Sequence, residues 1–191
     1  MRRSYDVYES DYDLLFDLPL RNDLVERISN SSPISTNGTI GPYDANKGCY
    51  FNNDGNNRAS LYYNTNLFNF PAQYHDFYCE CVVNVSKLKS NVIAFQKNSF
   101  RAILLSDRRG TDNIVWNIPA NTDVMIYATC HIDDSPYKET HRAGAVLAGD
   151  PHTDFSFTSR DSNNTFNFFA GGITGYARDF KLYGLKATKR Q

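Results

Sequence analysis

The chain has 191 residues and a mass of 21.7 kDa, a length that suits one domain. Its 20 lysine and arginine residues almost balance 21 aspartate and glutamate residues, so the formal net charge is −1. This balance argues against a nucleic-acid-binding protein, which as a rule presents a basic surface. A hydrophobic content of 41% argues against a disordered acidic chain. No apolar run approaches about 18 residues, so no membrane span is predicted.

The residue types favour strands over helices. The chain contains 13 tyrosines, 13 phenylalanines and 20 asparagines, but only four glutamates. Aromatic residues favour strands, asparagine favours turns, and glutamate favours helices. The sequence therefore predicts an all-β chain with many polar loops, in which only residues 24–28 offer a short helical turn.

The predicted strands begin at residues 12–20, where Pro19 indicates an edge strand or a strand end. The polar segment 29–41 is predicted to be a long loop. Roughly eleven short strands separated by turn sequences predict an antiparallel β-sandwich or barrel rather than βαβ units. The later predicted strands are 48–51, 59–63, 77–85, 92–96, 100–106, 113–118, 123–132, 140–147, 155–158, 166–169 and 177–185.

The four cysteines, Cys49, Cys79, Cys81 and Cys130, do not have zinc-site spacing, because a single residue separates Cys79 from Cys81. In a strand these two side chains point to the same face. That face also carries Phe77, Val83 and Val85. We therefore predict buried, reduced thiols that act as small hydrophobes. A disulfide between facing strands is the alternative and would require an oxidising compartment.

Four segments resemble, in the same order, strands of the concanavalin A-like lectin/glucanase superfamily, especially its laminin-G-like and pentraxin-like members. They are LFDLPL at 15–20 followed by NDL at 22–24, GCYFNNDG at 48–55, DFYCECV at 76–82, and GGITGYARDFKLY at 171–183. The resemblance implies a jelly roll of two antiparallel sheets over residues 12–187, with the first and last strands paired. An N-terminal arm, 1–11, and a basic C-terminal tail, 188–191, would flank this domain.

The sequence does not support glycoside hydrolysis by this superfamily's usual mechanism. Its glucanases use carboxylates in a Glu-x-Asp-x-Glu or related pattern on one strand, whose alternation places the side chains on one face. None of the glutamates Glu9, Glu26, Glu80 and Glu139 lies two or four residues from another glutamate. We therefore expect a protein without enzymatic activity. A glycosidase whose catalytic pair is displaced from this pattern is a further alternative.

Three aspartates are candidate calcium ligands, since relatives of this type often bind Ca²⁺ at loop ends. Asp54 lies in a turn sequence, and Asp133 and Asp134 precede Ser135–Pro136. Calcium prefers six to eight oxygen ligands, and the local density of carboxylates is low. A plain turn is the alternative at both places.

Glycan binding requires exposed aromatic rings beside amide or carboxylate groups. The candidates are Tyr63, Tyr74, Trp116 and Asn117. The alternative for each ring is a place in the core, because adjacent aromatics in a strand serve both faces. Among the histidines, His131 and His141 are predicted on neighbouring strands, but no third metal ligand is evident beside them.

The N-terminus lacks the pattern of a signal peptide, because acidic residues follow Arg2 and Arg3. Lectin-like jelly rolls are common on secreted proteins, whereas this sequence predicts folding in a cytoplasm. A virus particle assembled in the host cytoplasm reconciles the two. The resemblance then implies a structural or adhesion protein, of the kind that bacteriophages carry as capsid decoration, head-fibre or tail proteins.

The expected partners are other virion proteins and further copies of the chain as a homo-oligomer, with a host-surface glycan as another candidate. Neither nucleic acid nor membrane is expected as a partner. Tyrosines of the arm region, Tyr5, Tyr8 and Tyr12, are candidates for docking onto a neighbouring subunit. The main alternative is a glycan-binding module of a bacterial surface protein or of a carbohydrate-active enzyme.

Overall fold

The computed structural model describes residues 12–53, 59–64, 74–88, 92–97, 100–104, 118–150, 152–158, 165–168 and 173–186. These residues form strands and turns without a helix, which confirms the predicted all-β class. Among them no helix is long and apolar enough to cross a membrane. The strands are β1 Tyr12–Leu18, β2 Ser35–Asn37, β3 Thr39–Asp44, β4 Gly48–Asn52, β5 Ser60–Asn64, β6 Tyr74–Leu88, β7 Val92–Lys97, β8 Phe100–Leu104, β9 Asp123–Asp134, β10 Tyr137–Ala145, β11 His152–Phe157, β12 Thr165–Phe168 and β13 Ile173–Lys186.

The described strands form two antiparallel sheets. The larger sheet has eight strands in the order β11-β10-β9-β6-β13-β4-β3, and β1 pairs with β13 beside this path. The smaller sheet has five strands in the order β2-β5-β12-β7-β8. Side chains from both sheets belong to one buried apolar cluster, to which β5 contributes Leu61 and Tyr63.

The strand β13 organises the larger sheet. One of its edges pairs with β6 over most of its length, and the other is shared by β4 and β1. The change of partner occurs near Asp179, which has a positive φ of 54° and donates its backbone N–H to the Pro19 carbonyl oxygen over 3.0 Å. Arg21 also forms an ion pair with Asp179. The predicted pairing of the first and last strands is thereby confirmed.

The strand β6 has the predicted alternation. Its core-facing side chains are Phe77, Cys79, Cys81, Val83 and Val85, and all of them are buried. The intervening side chains from Tyr78 to Asn84 are half-buried on the other face. All four cysteines are buried free thiols, as predicted, and burial raises the pKa of Cys49 to about 12.

Two local predictions are wrong. The segment 29–41, predicted as a loop, contains β2 and the first residues of β3. Most described side chains of these strands are exposed or half-buried, so no apolar alternation indicates them. Residues 24–28 do not form a helical turn. Instead, the buried Glu26 carboxylate accepts hydrogen bonds from the backbone N–H groups of Asp17, Ile28 and Ser29 and so stabilises a non-helical turn. The predicted strand 113–118 lies almost wholly outside the described residues.

Candidate functional site

The outer face of the larger sheet, opposite the core, carries five half-buried tyrosines. Because strand side chains alternate, these rings point away from the core residues next to them in the chain. We call this set the tyrosine face, and its members are Tyr50 on β4, Tyr78 on β6, Tyr127 on β9, and Tyr176 and Tyr183 on β13.

The rings of the tyrosine face form two groups. In the first, Tyr78 lies between Tyr127 and Tyr183, with centroid distances of 6.4 and 6.1 Å. In the second, Tyr50 and Tyr176 are directly paired across the strands, with centroids 5.0 Å apart. The Lys47 ammonium lies 5.4 Å from the centroid of the Tyr176 ring, within the range of a cation–π contact.

Polar groups lie beside the second pair of rings, where Asn84 pairs with Tyr176 on one side and with Asp123 on the other. Asn84 donates its amide N–H to Asp123 over 2.8 Å, and Arg178 donates to the second oxygen of the same carboxylate over 2.7 Å. The hydrogen bonds from Arg178 and Asn84 hold the pKa of Asp123 below its usual value. Asp123 is therefore a carboxylate at neutral pH, and an amide and a guanidinium fix its orientation.

The hydroxyl of Tyr78 is tied to the same surface. It donates a hydrogen bond of 2.8 Å to Glu80. Burial and the neighbouring Glu80 carboxylate raise the pKa of Tyr78, so the phenol stays protonated at any physiological pH. Met125 adds an exposed apolar side chain to this face. The arrangement combines neutral aromatic rings with fixed amide and carboxylate groups, which suits contact with a sugar or a protein.

Two of the four predicted glycan-binding residues are in the core. Tyr63 is 1% exposed, packs edge-on against Phe16 at 5.4 Å, and donates its hydroxyl to the Leu24 carbonyl oxygen over 2.6 Å. Tyr74 is 7% exposed and donates to Asp13 over 2.7 Å. Neither ring can therefore serve as a surface platform, and the prediction is wrong for both. Trp116 and Asn117 lie outside the described residues.

Of the three candidate calcium ligands, Asp133 is the one whose side chain the structure describes. Asp54 lies outside them. Asp133 is exposed, with its carboxylate 3.4 Å from Nε2 of His131. Asp134 is the last residue of β9, and its backbone pairs with Tyr137 across a two-residue turn. These facts give the predicted calcium site no further support.

Of the three tyrosines predicted to dock onto a neighbouring subunit, the structure describes one. Tyr5 and Tyr8 lie outside the described residues. Tyr12 is not part of an arm, because it is the first residue of β1 and pairs with Leu185 of β13.

A second polar group, which the sequence did not reveal, is buried in the hairpin of β9 and β10. It consists of Cys130, Glu139 and His141, each at most 1% exposed. The Cys130 sulfur lies 3.7 Å from Nε2 of His141, and the same nitrogen lies 2.9 Å from Oε2 of Glu139. Tyr137 donates its hydroxyl to the other oxygen of Glu139.

The cluster is not apparent from the sequence because it depends on the register of this hairpin. His131 and His141 do lie on neighbouring strands, as predicted, but His141 pairs with Cys130 and His131 pairs with Thr140. The two imidazoles therefore point to opposite faces of the sheet. In a hairpin with a two-residue turn, residues equally far from the turn on the two strands face each other. A two-residue turn at Ser135–Pro136 therefore places Cys130 opposite His141.

No protein-family model matches the chain, and no curated protein matches it.

Proposed function

We propose that the protein is a non-enzymatic structural or adhesion component of a virus particle, of the bacteriophage capsid-decoration, head-fibre or tail type. In this proposal the two antiparallel sheets form a concanavalin A-like β-sandwich, as the four resembling segments imply. The observation that carries the proposal is the tyrosine face, a sheet surface with the composition of a contact surface.

The tyrosine face suits macromolecular contact for two physical reasons. Tyrosine offers a large amphipathic area and loses little conformational entropy on binding, and it is enriched in protein interfaces together with methionine and arginine. The polar groups beside the rings are also held in place before any partner arrives, since Asp123 is bound by both Asn84 and Arg178. Such preorganisation lowers the entropic cost of association.

Absence of enzymatic activity is part of the proposal. The Glu80 carboxylate on this face accepts from Tyr78 two residues away, and the next outward side chain on the strand is Val82. A retaining glycosidase needs two carboxyl groups about 5 Å apart. The neighbours of Glu80 along its strand therefore favour a binding role.

The paired chain ends support attachment to a larger assembly. Tyr12 opposes Leu185, so the arm 1–11 and the residues after 186 join the sheet at neighbouring points. In the proposal, this end of the larger sheet, where β1 and β13 lie side by side, contacts a neighbouring subunit in a particle or a homo-oligomer.

Immunogold electron microscopy tests the proposal. Antibodies against the purified protein are applied to a virus-enriched fraction and to a cell-envelope fraction of the source culture. We expect gold label on particles, at a regular position on head or tail. Label confined to cell envelopes would overturn the proposal and favour the second candidate.

The second candidate is a glycan-binding module, favoured by the aromatic rings beside Asn84 and Asp123. It predicts binding on a glycan array that falls at least about tenfold, or about 1.4 kcal/mol, in Tyr176→Ala. The control is Tyr62→Ala, which removes a half-buried ring from β5 of the smaller sheet. An array without any bound glycan would exclude this candidate without affecting the particle proposal.

A further inference from the structure

We propose that Cys130, Glu139 and His141 form a binding site for one divalent transition-metal ion of the Zn²⁺ type, enclosed within the β9–β10 hairpin. One donor atom from each residue, the sulfur, a carboxylate oxygen and an imidazole nitrogen, lies within 4.8 Å of the other two. This inference does not depend on the proposed function.

Two of the three donor-to-donor distances are close to those of a tetrahedral site, and all three donors lie within 4.8 Å of one another. Cys130 and His141 are directly opposed across the hairpin, and Glu139 is two residues from His141 on the same face. With metal–ligand distances of about 2.0–2.3 Å, tetrahedral donors stand about 3.3–3.6 Å apart. The sulfur-to-Nε2 distance of 3.7 Å is already close to this. The Nε2-to-Oε2 distance of 2.9 Å has to lengthen by only a few tenths of an ångström.

Charge also favours a divalent ion. Buried ionised groups are costly unless opposite charge compensates them. The neighbouring core positions on these strands, Ala128, Ile132 and Ala143, are apolar. A thiolate, a carboxylate and a neutral imidazole together carry two negative charges, which match the charge of one divalent cation. Binding releases the thiol proton of Cys130 to solvent.

The donor set selects the class of metal. Thiolate and imidazole ligands favour Zn²⁺ and Co²⁺ over Ca²⁺ and Mg²⁺, which prefer oxygen ligands. Tyr137 acts as a positioning residue, because its hydroxyl binds one oxygen of Glu139 and leaves the other directed at His141. The three ligands found among the described residues leave a fourth coordination position for a further ligand.

Because its three ligands are buried, the ion would have a structural role. At 0–1% exposure none of the three side chains is open to a substrate in solution. A bound metal would instead join β9 to β10 through their side chains, in addition to the backbone ladder.

Cobalt substitution tests the site. Because the cluster is closed to solvent, the protein is produced in minimal medium supplied with Co²⁺, and a second sample is refolded with Co²⁺ present. We expect stoichiometric cobalt by elemental analysis, a thiolate-to-cobalt charge-transfer absorption in the near ultraviolet, and visible bands of tetrahedral Co²⁺. Zn²⁺ added during refolding should suppress these bands.

Matched variants separate this site from other thiols. Cys130→Ser should abolish the charge-transfer absorption, whereas Cys49→Ser, a change to a buried thiol on β4, should retain it. Tyr137→Phe should weaken metal affinity by roughly 10- to 100-fold. Circular dichroism establishes that each variant is folded. Folded wild-type protein without the absorption after both preparations, or an absorption that survives in Cys130→Ser, would overturn the proposal.

Discussion

The position of a single residue in a strand decides its chemistry in the β9–β10 hairpin. His131 and His141 are both strand histidines, yet one faces solvent and the other the core. Nδ1 of the exposed His131 lies 2.6 Å from Asp76, and its Nε2 lies 3.4 Å from Asp133. The hydrogen bond to Asp76 and the two nearby carboxylates raise the pKa of His131 above its usual value of about 6.5.

The raised pKa of His131 predicts a pH-dependent effect of His131→Asn. A raised pKa in the folded state stabilises the protein fully below the unfolded pKa, and this contribution disappears as pH rises through the folded pKa. We expect His131→Asn to lower the free energy of unfolding at pH 5, by less than about 1 kcal/mol because the pair is half exposed, and to have little effect at pH 9. Urea denaturation at both pH values measures the difference.

A partner variant provides the control for this measurement. In Asp76→Asn the additional change His131→Asn should lose most of its pH dependence, because the nearest carboxylate is gone. Equal losses of stability at pH 5 and pH 9 in the wild-type background would contradict the interpretation.

At the scale of elements, β13 approaches β4 so closely that one position accepts only glycine. Gly48 begins β4 with a φ of +96°, and a Cβ built on it would lie 2.1 Å from the carbonyl oxygen of Ala177. The obstacle is backbone of the central strand, which cannot move without disturbing its pairing with β6.

Gly48→Ala should therefore be strongly destabilising. We expect a loss of about 3 kcal/mol or more, which combines the strain of a positive φ with the steric overlap. The control is Gly149→Ala, where φ is +86° but no atom lies within 4 Å of the added Cβ. It should lose only about 1–2 kcal/mol. Chemical denaturation of both variants isolates the overlap, and equal losses would show that β4 can move away from β13.

Strands with an apolar residue at every second position were predictable from the sequence, and strands without this pattern were not. The alternation of β6 was predicted because its buried apolar face repeats every second residue, whereas the pairing of β1 with β13 was predicted from the resemblance of the first and last segments to paired strands. The edge strands β2 and β3 lack such a face. Alternation also required one of Tyr62 and Tyr63 to be buried, but only the structure identifies Tyr63 as that residue. The cluster of Cys130, Glu139 and His141 depends on the register between β9 and β10, which cannot be read from the sequence of either strand alone.

At the scale of the whole molecule, β1 packs the beginning of the domain against the core. Its side chains Leu15, Phe16 and Leu18 are buried, and the Phe16 ring packs edge-on against Phe180 of β13 at 5.7 Å. The last residues of β13 have β1 and β6 as their two neighbours, so loss of β1 would expose one edge of the strand.

Two truncations test the boundary of the domain at residue 12. Deletion of residues 1–18 removes three buried side chains, each worth about 2–5 kcal/mol, which together approach the whole stability of a typical domain. We expect this variant to lose its cooperative thermal transition by circular dichroism. Deletion of residues 1–11 leaves β1 intact and should shift the midpoint by only a few degrees. Equal melting behaviour of the two truncations would contradict a structural role for β1.

The central position of β13 also has a consequence for how the chain folds during synthesis. Its three partners, β1, β4 and β6, all leave the ribosome before it does, and β1 precedes it by more than 150 residues. Until residues 173–186 emerge, these partners have unpaired edges, and loop closure over such separations is slow. The nascent chain therefore passes through a long interval of exposed strand edges, which is the period when self-association competes most strongly with folding.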